Sequence, residues 1–215
     1  MGFIKFVKEE IEIIKDRDPA IKSTMEVFLY PSFKAIIGYR VAHKLFVKKH
    51  YFLARWISQR TVRKTGIEIH PGATIGPGMF IDHGAGVVIG ETCEIGEGCT
   101  LYQHVTLGGT GKDSGKRHPT LGNHVMVGAG AKVLGPIVLN DHVKVGAMSV
   151  VLKEVPAGCT VVGNPGSVVR CFGRRLTEDV DLNHNVMPDP VEDRMNVLQS
   201  EIDELRQYHH PKKED

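Results

Sequence analysis

The chain has no apolar run that approaches the ~18 residues a membrane-spanning helix needs. Its opening, MGFIKFVKEEIEIIKD, lacks the uninterrupted apolar core of a signal peptide. Phe6 stands where a myristoylation signal carries Ser or Thr. Cysteine is scarce: Cys93, Cys99, Cys159 and Cys171 form no C-x-x-C pair, and no Cys/His set has zinc-site spacing. An excess of one charge is missing too. The 27 Lys and Arg against 25 Asp and Glu leave +2, too little to imply nucleic acid from charge alone. The expectation is a cytoplasmic protein with free, buried thiols, no bound metal, and neither membrane nor nucleic acid as a partner.

What is present begins with helix. At 41% hydrophobic and 24% charged, the 215-residue chain reads as globular, one large domain or one domain with an appendage. Residues 1–65 carry helical periodicity, with Phe3, Val7, Ile11 and Ile14 on one face. RDPA (17–20) predicts a stop and restart, with Asp18 as N-cap and Pro19 at the first helical position. Two further helices are expected over about 24–48 and 51–65, closed by Gly66. Their cations (Lys48, Lys49, Arg55, Arg60, Arg63, Lys64) read as a solvated face, with Phe52, Leu53, Trp56 and Ile57 turned inward.

At residue 66 the pattern changes to a repeat. Aliphatic residues fall at every sixth position: Ile69, Ile75, Ile81 and Val87, then Ile89, Ile95, Leu101 and Leu107, then Leu121, Val127, Val133, Leu139, Val145 and Val151. Small residues often follow four positions later: Ala73, Ala85, Cys93, Cys99, Ala131, Ser149. One large aliphatic per six residues, with small residues and glycine at the corners, is the pattern of a hexapeptide β-helix. Neither GAGAKV (128–133) nor GGTGKD (108–113) has the spacing of a nucleotide-binding loop. The expected organisation is a helical region over 1–65, a β-helix over 66–169 with an inserted loop at 108–120, and a tail from 170 to 215. In that tail Val191, Met195, Leu198, Ile202 and Leu205 form a short heptad seam.

Chemistry is expected where the repeat breaks. Between Val87 and Ile89 the count slips by two, just after IDHG (81–84) sets Asp82 and His83 at a corner. An imidazole suits a general base at neutral pH, best when a carboxylate holds its other nitrogen. Glu68 lies fifteen residues earlier, close to one coil of about eighteen, and so could neighbour His83. In the inserted loop Arg117 offers a fork for a carboxylate, with His118 beside it. Lys112, Lys116 and Lys153 are cations that could meet phosphates.

The motifs RDPA (17–20), IHP (69–71), DHGAGVVIGE (82–91), TLGGTGK (106–112), RHP (117–119), GAGAKVLG (128–135) and VPAGCTVVGNP (155–165) resemble those of the bacterial serine O-acetyltransferases. The resemblance covers most of residues 15–170. It implies a left-handed parallel β-helix, acetyl-CoA as cosubstrate, L-serine as acceptor, and O-acetyl-L-serine, the precursor of cysteine, as product. It implies His83 as the base and Glu68 as its partner, although Glu68 stands where the family has Asp. It implies Asp18, Asp82, Arg117 and His118 around serine, and Gly109, Thr110, Ala129, Ala147 and Lys153 along CoA. A homotrimer and a dimer of trimers both stay open, because the helical region is shorter than in hexameric members. The family tail that inserts into O-acetylserine sulfhydrylase ends in Ile; this chain ends in KKED, which speaks against that complex.

Three rivals share parts of this pattern. A hexapeptide acetyltransferase acting on a sugar or antibiotic hydroxyl would need His83 but not RHP. A zinc carbonic anhydrase on the same fold would need His where Ala129 and Leu134 stand. A non-catalytic scaffold would bind no CoA.

Overall fold

The computed structural model describes residues 3–111, 114–172 and 174–175, with Met195, Leu198, Gln199 and Ile202 as further helical positions. Three helices come first: α1 (Phe3–Arg17), α2 (Pro31–Val47) and α3 (Tyr51–Thr65). The α1 stripe of Val7, Ile11 and Ile14 packs with Val27 and Phe33 onto Phe80 of the repeat region. Gly66 ends α3 in the left-handed conformation, φ 69°, as its position predicts.

Two helical expectations are corrected. No helix restarts at Asp18: a 3-10 turn begins only at Thr24, capped by Ser23, and α2 begins at Pro31. The Asp18 carboxylate closes its own turn, accepting from the Ala20 N–H at 2.8 Å. The large residues of α3 also do not face inward. Phe52, Leu53 and Trp56 are 81%, 50% and 55% exposed, while Ala54, Ser58 and Thr65 are buried. The approach is too close for large groups: Thr61 fills the space over Gly38 of α2, and Ser58 Oγ donates to the Ile69 carbonyl at 2.9 Å.

The repeat region forms short strands: β1 (Glu68–Ile69), β2 (Thr74–Ile75), β3 (Phe80–Ile81), β4 (Val88–Ile89), β5 (Glu94–Ile95), β6 (Thr100–Leu101), β7 (Thr106–Gly108), β8 (Thr120–Leu121), β9 (Met126–Val127), β10 (Lys132–Leu134), β11 (Val138–Leu139), β12 (Lys144–Val145), β13 (Val150–Val151), β14 (Cys159–Val162), β15 (Ser167–Cys171) and β16 (Arg174–Arg175). Every third strand joins one face of a three-sided prism, a left-handed parallel β-helix. The first face stacks β1, β4, β7, β10 and β13; the second β2, β5, β8 and β11; the third β3, β6, β9, β12 and β14–β16.

The period of six becomes ladders of like residues. Ile69, Ile89, Leu107, Val133 and Val151 stand in register on the first face. Ile81, Leu101, Val127, Val145 and Val161 do so on the third. All are buried, and each contributes ~1.5–3 kcal/mol of transfer free energy. Ala73, Cys93, Cys99, Ala131 and Ser149 are buried as well. Ala85 is different: it is exposed at a corner.

The slip of two is taken up at that corner. Residues 82–87 join the third face to the first, where the next coil uses only 102–105. Its folding is local: Gly84 N–H donates to the Asp82 carbonyl at 2.6 Å and Val87 N–H to the Gly84 carbonyl at 3.1 Å. The inserted segment leaves β7 on the first face and returns at β8 on the second, at the opposite edge of the first face.

The repeat sheet continues past residue 169, since β15 pairs antiparallel with β14 and sets Cys159 opposite Cys171. These two are joined by a disulfide, which corrects the expectation of four free thiols; Cys93 and Cys99 are free and buried. Of the heptad seam, Met195, Leu198 and Ile202 are helical and exposed. Val191, Leu205, Lys112 and the KKED tail lie outside the described residues. Among the described residues no helix is long and apolar enough to cross a membrane.

Candidate active site

His83 sits on the longer corner with φ 55°, a left-handed conformation that is costly for a side chain larger than glycine. The helical region brings a carboxylate to it. Phe80, on the outer side of β3, is buried under Ile14, Val27 and Phe33. Arg17, at the end of α1, donates to Thr100 Oγ1 at 2.9 Å and fixes that helix end to the coil. The next residue, Asp18, accepts the Tyr30 hydroxyl proton at 2.6 Å. That hydrogen bond, then the Ala20 N–H, holds the Asp18 carboxyl below its usual range, and His83 adds to the effect. The Tyr30 hydroxyl is pushed up to about 12, chiefly by the same bond, then by burial and the Asp18 charge, and least by Glu26 and Asp82. Asp18 and Tyr30 are hydrogen-bonded to each other, and the charges of His83 and Asp82 are felt at this pair.

Glu68 lies under this corner. Its N–H donates to the Val87 carbonyl at 2.8 Å, and the Gly86 N–H reaches the Gly66 carbonyl at 2.9 Å. The Glu68 carboxylate faces Arg55 of α3, 3.5 Å away. Its strand partner is Val88, so this coil is twenty residues long; the slip lengthens it beyond eighteen.

A second polar group forms at the other edge of the first face. Arg117 is ion-paired with Glu91, which lowers the Glu91 pKa. The His118 ring fills the space left by Gly90, where a Cβ would overlap it. Thr92 anchors both: its Oγ1 accepts from the Arg117 and His118 N–H groups, each at 3.1 Å. Lys116 Nζ donates to the Thr92 carbonyl at 2.7 Å and pairs with Glu94 at 3.0 Å. Burial, then the Arg117 charge, lowers the His118 pKa, and His118 is only 8% exposed. Behind this group lies a cavity of about 430 Å³ lined by Phe46, Tyr51, Arg55, His70, Pro71 and Glu91. Burial also lowers the pKa of His70.

The residues expected along CoA divide between the two edges. Ala129 and Ala147 are half-buried and rise in a column above the His83 corner. The links are His104 N–H to the Ala85 carbonyl, Gly130 N–H to Gln103 and Met148 N–H to Ala129, at 2.8, 2.9 and 2.8 Å. Gly109, Thr110 and Lys153 are exposed at the opposite edge. There the Gly135 N–H donates to the Gly108 carbonyl at 3.0 Å, and Thr110 lies against Gly135. Small residues leave backbone open along both edges, which fits a long, thin cofactor.

Sequence reasoning missed Tyr30, Glu91 and Thr92. Glu91 closes the DHGAGVVIGE motif and could have been found there; nothing local marks the other two. Among the described residues no group of three or more His, Cys, Asp or Glu could hold a metal ion.

Residues 118–153 match the family described as bacterial transferase hexapeptide (six repeats). The serine acetyltransferase of Bacillus subtilis (strain 168) is 53% identical over 205 residues, 95% of this chain and 94% of its own length. The chain belongs to the serine acetyltransferase family. Among solved members, the Neisseria gonorrhoeae serine acetyltransferase in complex with serine superposes with TM-score 0.73 at 38% identity, over 76% of this chain and 68% of that one. A serine acetyltransferase in complex with CoA superposes with TM-score 0.72 at 39% identity, over 77% and 69%. The left-handed β-helix with helices before it is thus the family's architecture as well as this chain's.

Proposed function

We propose that this protein transfers the acetyl group of acetyl-CoA to the hydroxyl of L-serine, giving O-acetyl-L-serine, a precursor of cysteine, and CoA. The observation that carries the reading is 53% identity to a serine acetyltransferase over nearly the whole chain. It is supported by a carboxylate–tyrosine–histidine group at one edge of the first face and an Arg–His group at the other.

In this reading Arg117 and His118 hold the serine carboxylate, and Asp18 and Asp82 bind near its ammonium and hydroxyl. His83 takes the hydroxyl proton as that oxygen bonds to the acetyl carbon, then returns the proton to the departing thiolate. Glu68, beneath the corner, is the proposed partner of the imidazolium; Arg55 competes for the same carboxylate. Bound acetyl-CoA supplies the activated carbonyl, lying along Ala129 and Ala147 with Gly109, Thr110 and Lys153 on the facing wall. Acetyl-CoA and free serine are cytoplasmic metabolites, which supports placing the reaction there.

The two groups belong to different subunits. His83 and His118 lie on opposite edges of one face, and the chain from Val87 to Gly90 alone spans roughly 10 Å. One serine cannot touch both across that face. An edge of one prism set beside the opposite edge of another brings them together, and three-fold closure gives three such clefts. A trimer, alone or paired into a hexamer, is the proposed assembly.

An acceptor screen tests the function: CoA thiol release with L-serine against release with hydroxyl-bearing sugars. Serine should be the preferred acceptor by kcat/KM. A sugar preferred over serine would move the protein to another branch of hexapeptide acetyltransferases.

A further inference from the structure

Thr92 lies in the corner after β4, yet it meets both residues of the inserted loop assigned to the serine carboxylate. A hydroxyl has one proton to donate and two lone pairs to accept with. Both lone pairs of Thr92 Oγ1 are used, by the Arg117 N–H and the His118 N–H, each at 3.1 Å. Its proton is left for His118 Nδ1, 2.9 Å away. The Thr92 backbone N–H, at 3.2 Å, points at the same Nδ1. A backbone N–H can only donate, so Nδ1 is an acceptor and carries no proton.

We propose that Thr92 is a positioning residue that holds His118 as the neutral imidazole protonated on Nε2, so that this N–H, and not a lone pair, is offered to the acceptor substrate. The proposal rests on the reading of this site as one for serine, whose carboxylate needs donors. The charged groups around the ring are Arg117, Lys116 and Glu91. Two are cations that oppose a second proton on the ring. Glu91 favours one, but it is ion-paired with Arg117. Burial works in the same direction as the cations. The Arg117 guanidinium supplies the full positive charge beside a neutral, directional donor. Attraction then comes from Arg117 and orientation from His118.

The same hydroxyl shapes the loop. By accepting two successive N–H groups it fixes the backbone of residues 117 and 118 where the loop turns back toward β8. Replacement by Val keeps the side-chain shape and the backbone N–H but removes the hydroxyl proton and both acceptor sites, so residues 117 and 118 are no longer held where that N–H meets Nδ1; Ser keeps all three. A merely structural role would lower folding stability without altering the ring's protonation.

The test is the ¹⁵N spectrum of the His118 imidazole in the intact oligomer, followed with pH and without substrate. Wild-type protein and Thr92→Ser should show the Nε2–H form, neutral at pH 7. Thr92→Val should show a mixture of forms or a titration moved to higher pH. Its KM for serine should rise about tenfold, with little change in KM for acetyl-CoA, and Thr92→Ser should restore it. A wild-type ring protonated on Nδ1, or a Thr92→Val ring with unchanged tautomer and titration, would overturn the proposal. Should Thr92→Val not fold, the wild-type tautomer still decides. The tautomer is read without serine. Its presence in a protein that acetylates no serine would reject the functional reading, and with it the role assigned to the Nε2–H.

Discussion

The Tyr30 hydroxyl donates to Asp18 at 2.6 Å, and this bond ties the entry of α2 to the turn after α1, beside the corner that presents His83. It lowers the Asp18 pKa and keeps that carboxylate ionised in acid. Tyr30→Phe removes the largest cause of the lowering, so Asp18 would protonate at higher pH. KM for serine should rise several-fold at neutral pH, by the loss of one charge-assisted hydrogen bond. The acid limb of serine binding should move to higher pH, with KM for acetyl-CoA unchanged. Serine binding measured down to about pH 3, below the ordinary Asp value of 3.8, checks this; an unmoved acid limb would detach Asp18 from serine.

Arg117→Lys keeps the charge and loses the fork. Lys is a point charge on a flexible stem and cannot make the bidentate contact with a carboxylate. The expected result is a larger rise in KM for serine than for acetyl-CoA, read from initial rates with each substrate varied. An equal rise in both would point to a phosphate contact or to loop folding.

Mixed oligomers test the shared cleft. His83→Ala and His118→Ala proteins should each be nearly inactive. Co-refolded, some trimers would hold a cleft with His83 from one subunit and His118 from its neighbour, both intact, and activity should partly return. Mixed trimers verified by native mass spectrometry but as inactive as their parents would place the site within one chain.

Glu10 gives a stability signature. It is buried on α1, and burial raises its carboxyl to about 7, with Arg40 opposing. In the unfolded chain it titrates near its ordinary value of 4.5. The folded state therefore binds this proton more tightly. Its contribution to stability is full below about 4.5 and is lost as pH rises through about 7. Glu10→Gln should raise the melting temperature at pH 8 by a few degrees and change it less at pH 5. An equal shift at both pH values would contradict the buried protonated form.

The coil is legible because its signal is periodic: one aliphatic every sixth residue admits few other folds, and Ile89, Leu107 and Val133 meet in the register that the period implies. The His83 corner is legible as a break in that period. The facing of α3 is not, because Phe52 and Trp56 fit a helical stripe equally well from either side; the small residues Ala54 and Ser58 decide it. Cys159 and Cys171 read as separate thiols in the sequence because only the antiparallel return of β15 sets them opposite each other. Tyr30 and Thr92 escape sequence reasoning for a related cause. Each acts on a residue far along the chain, Thr92 on His118 across 26 positions, and neither has a local pattern.

Acetyl transfer to serine with His83 as base is read most directly by serine-dependent release of CoA thiol from acetyl-CoA. Wild-type protein should release thiol in equal amount to the O-acetyl-L-serine formed, and His83→Ala should have a kcat lower by ~10²–10⁴ while CoA still binds. A folded wild-type oligomer that releases no thiol on addition of L-serine, or a His83→Ala protein with near-normal turnover, would contradict it.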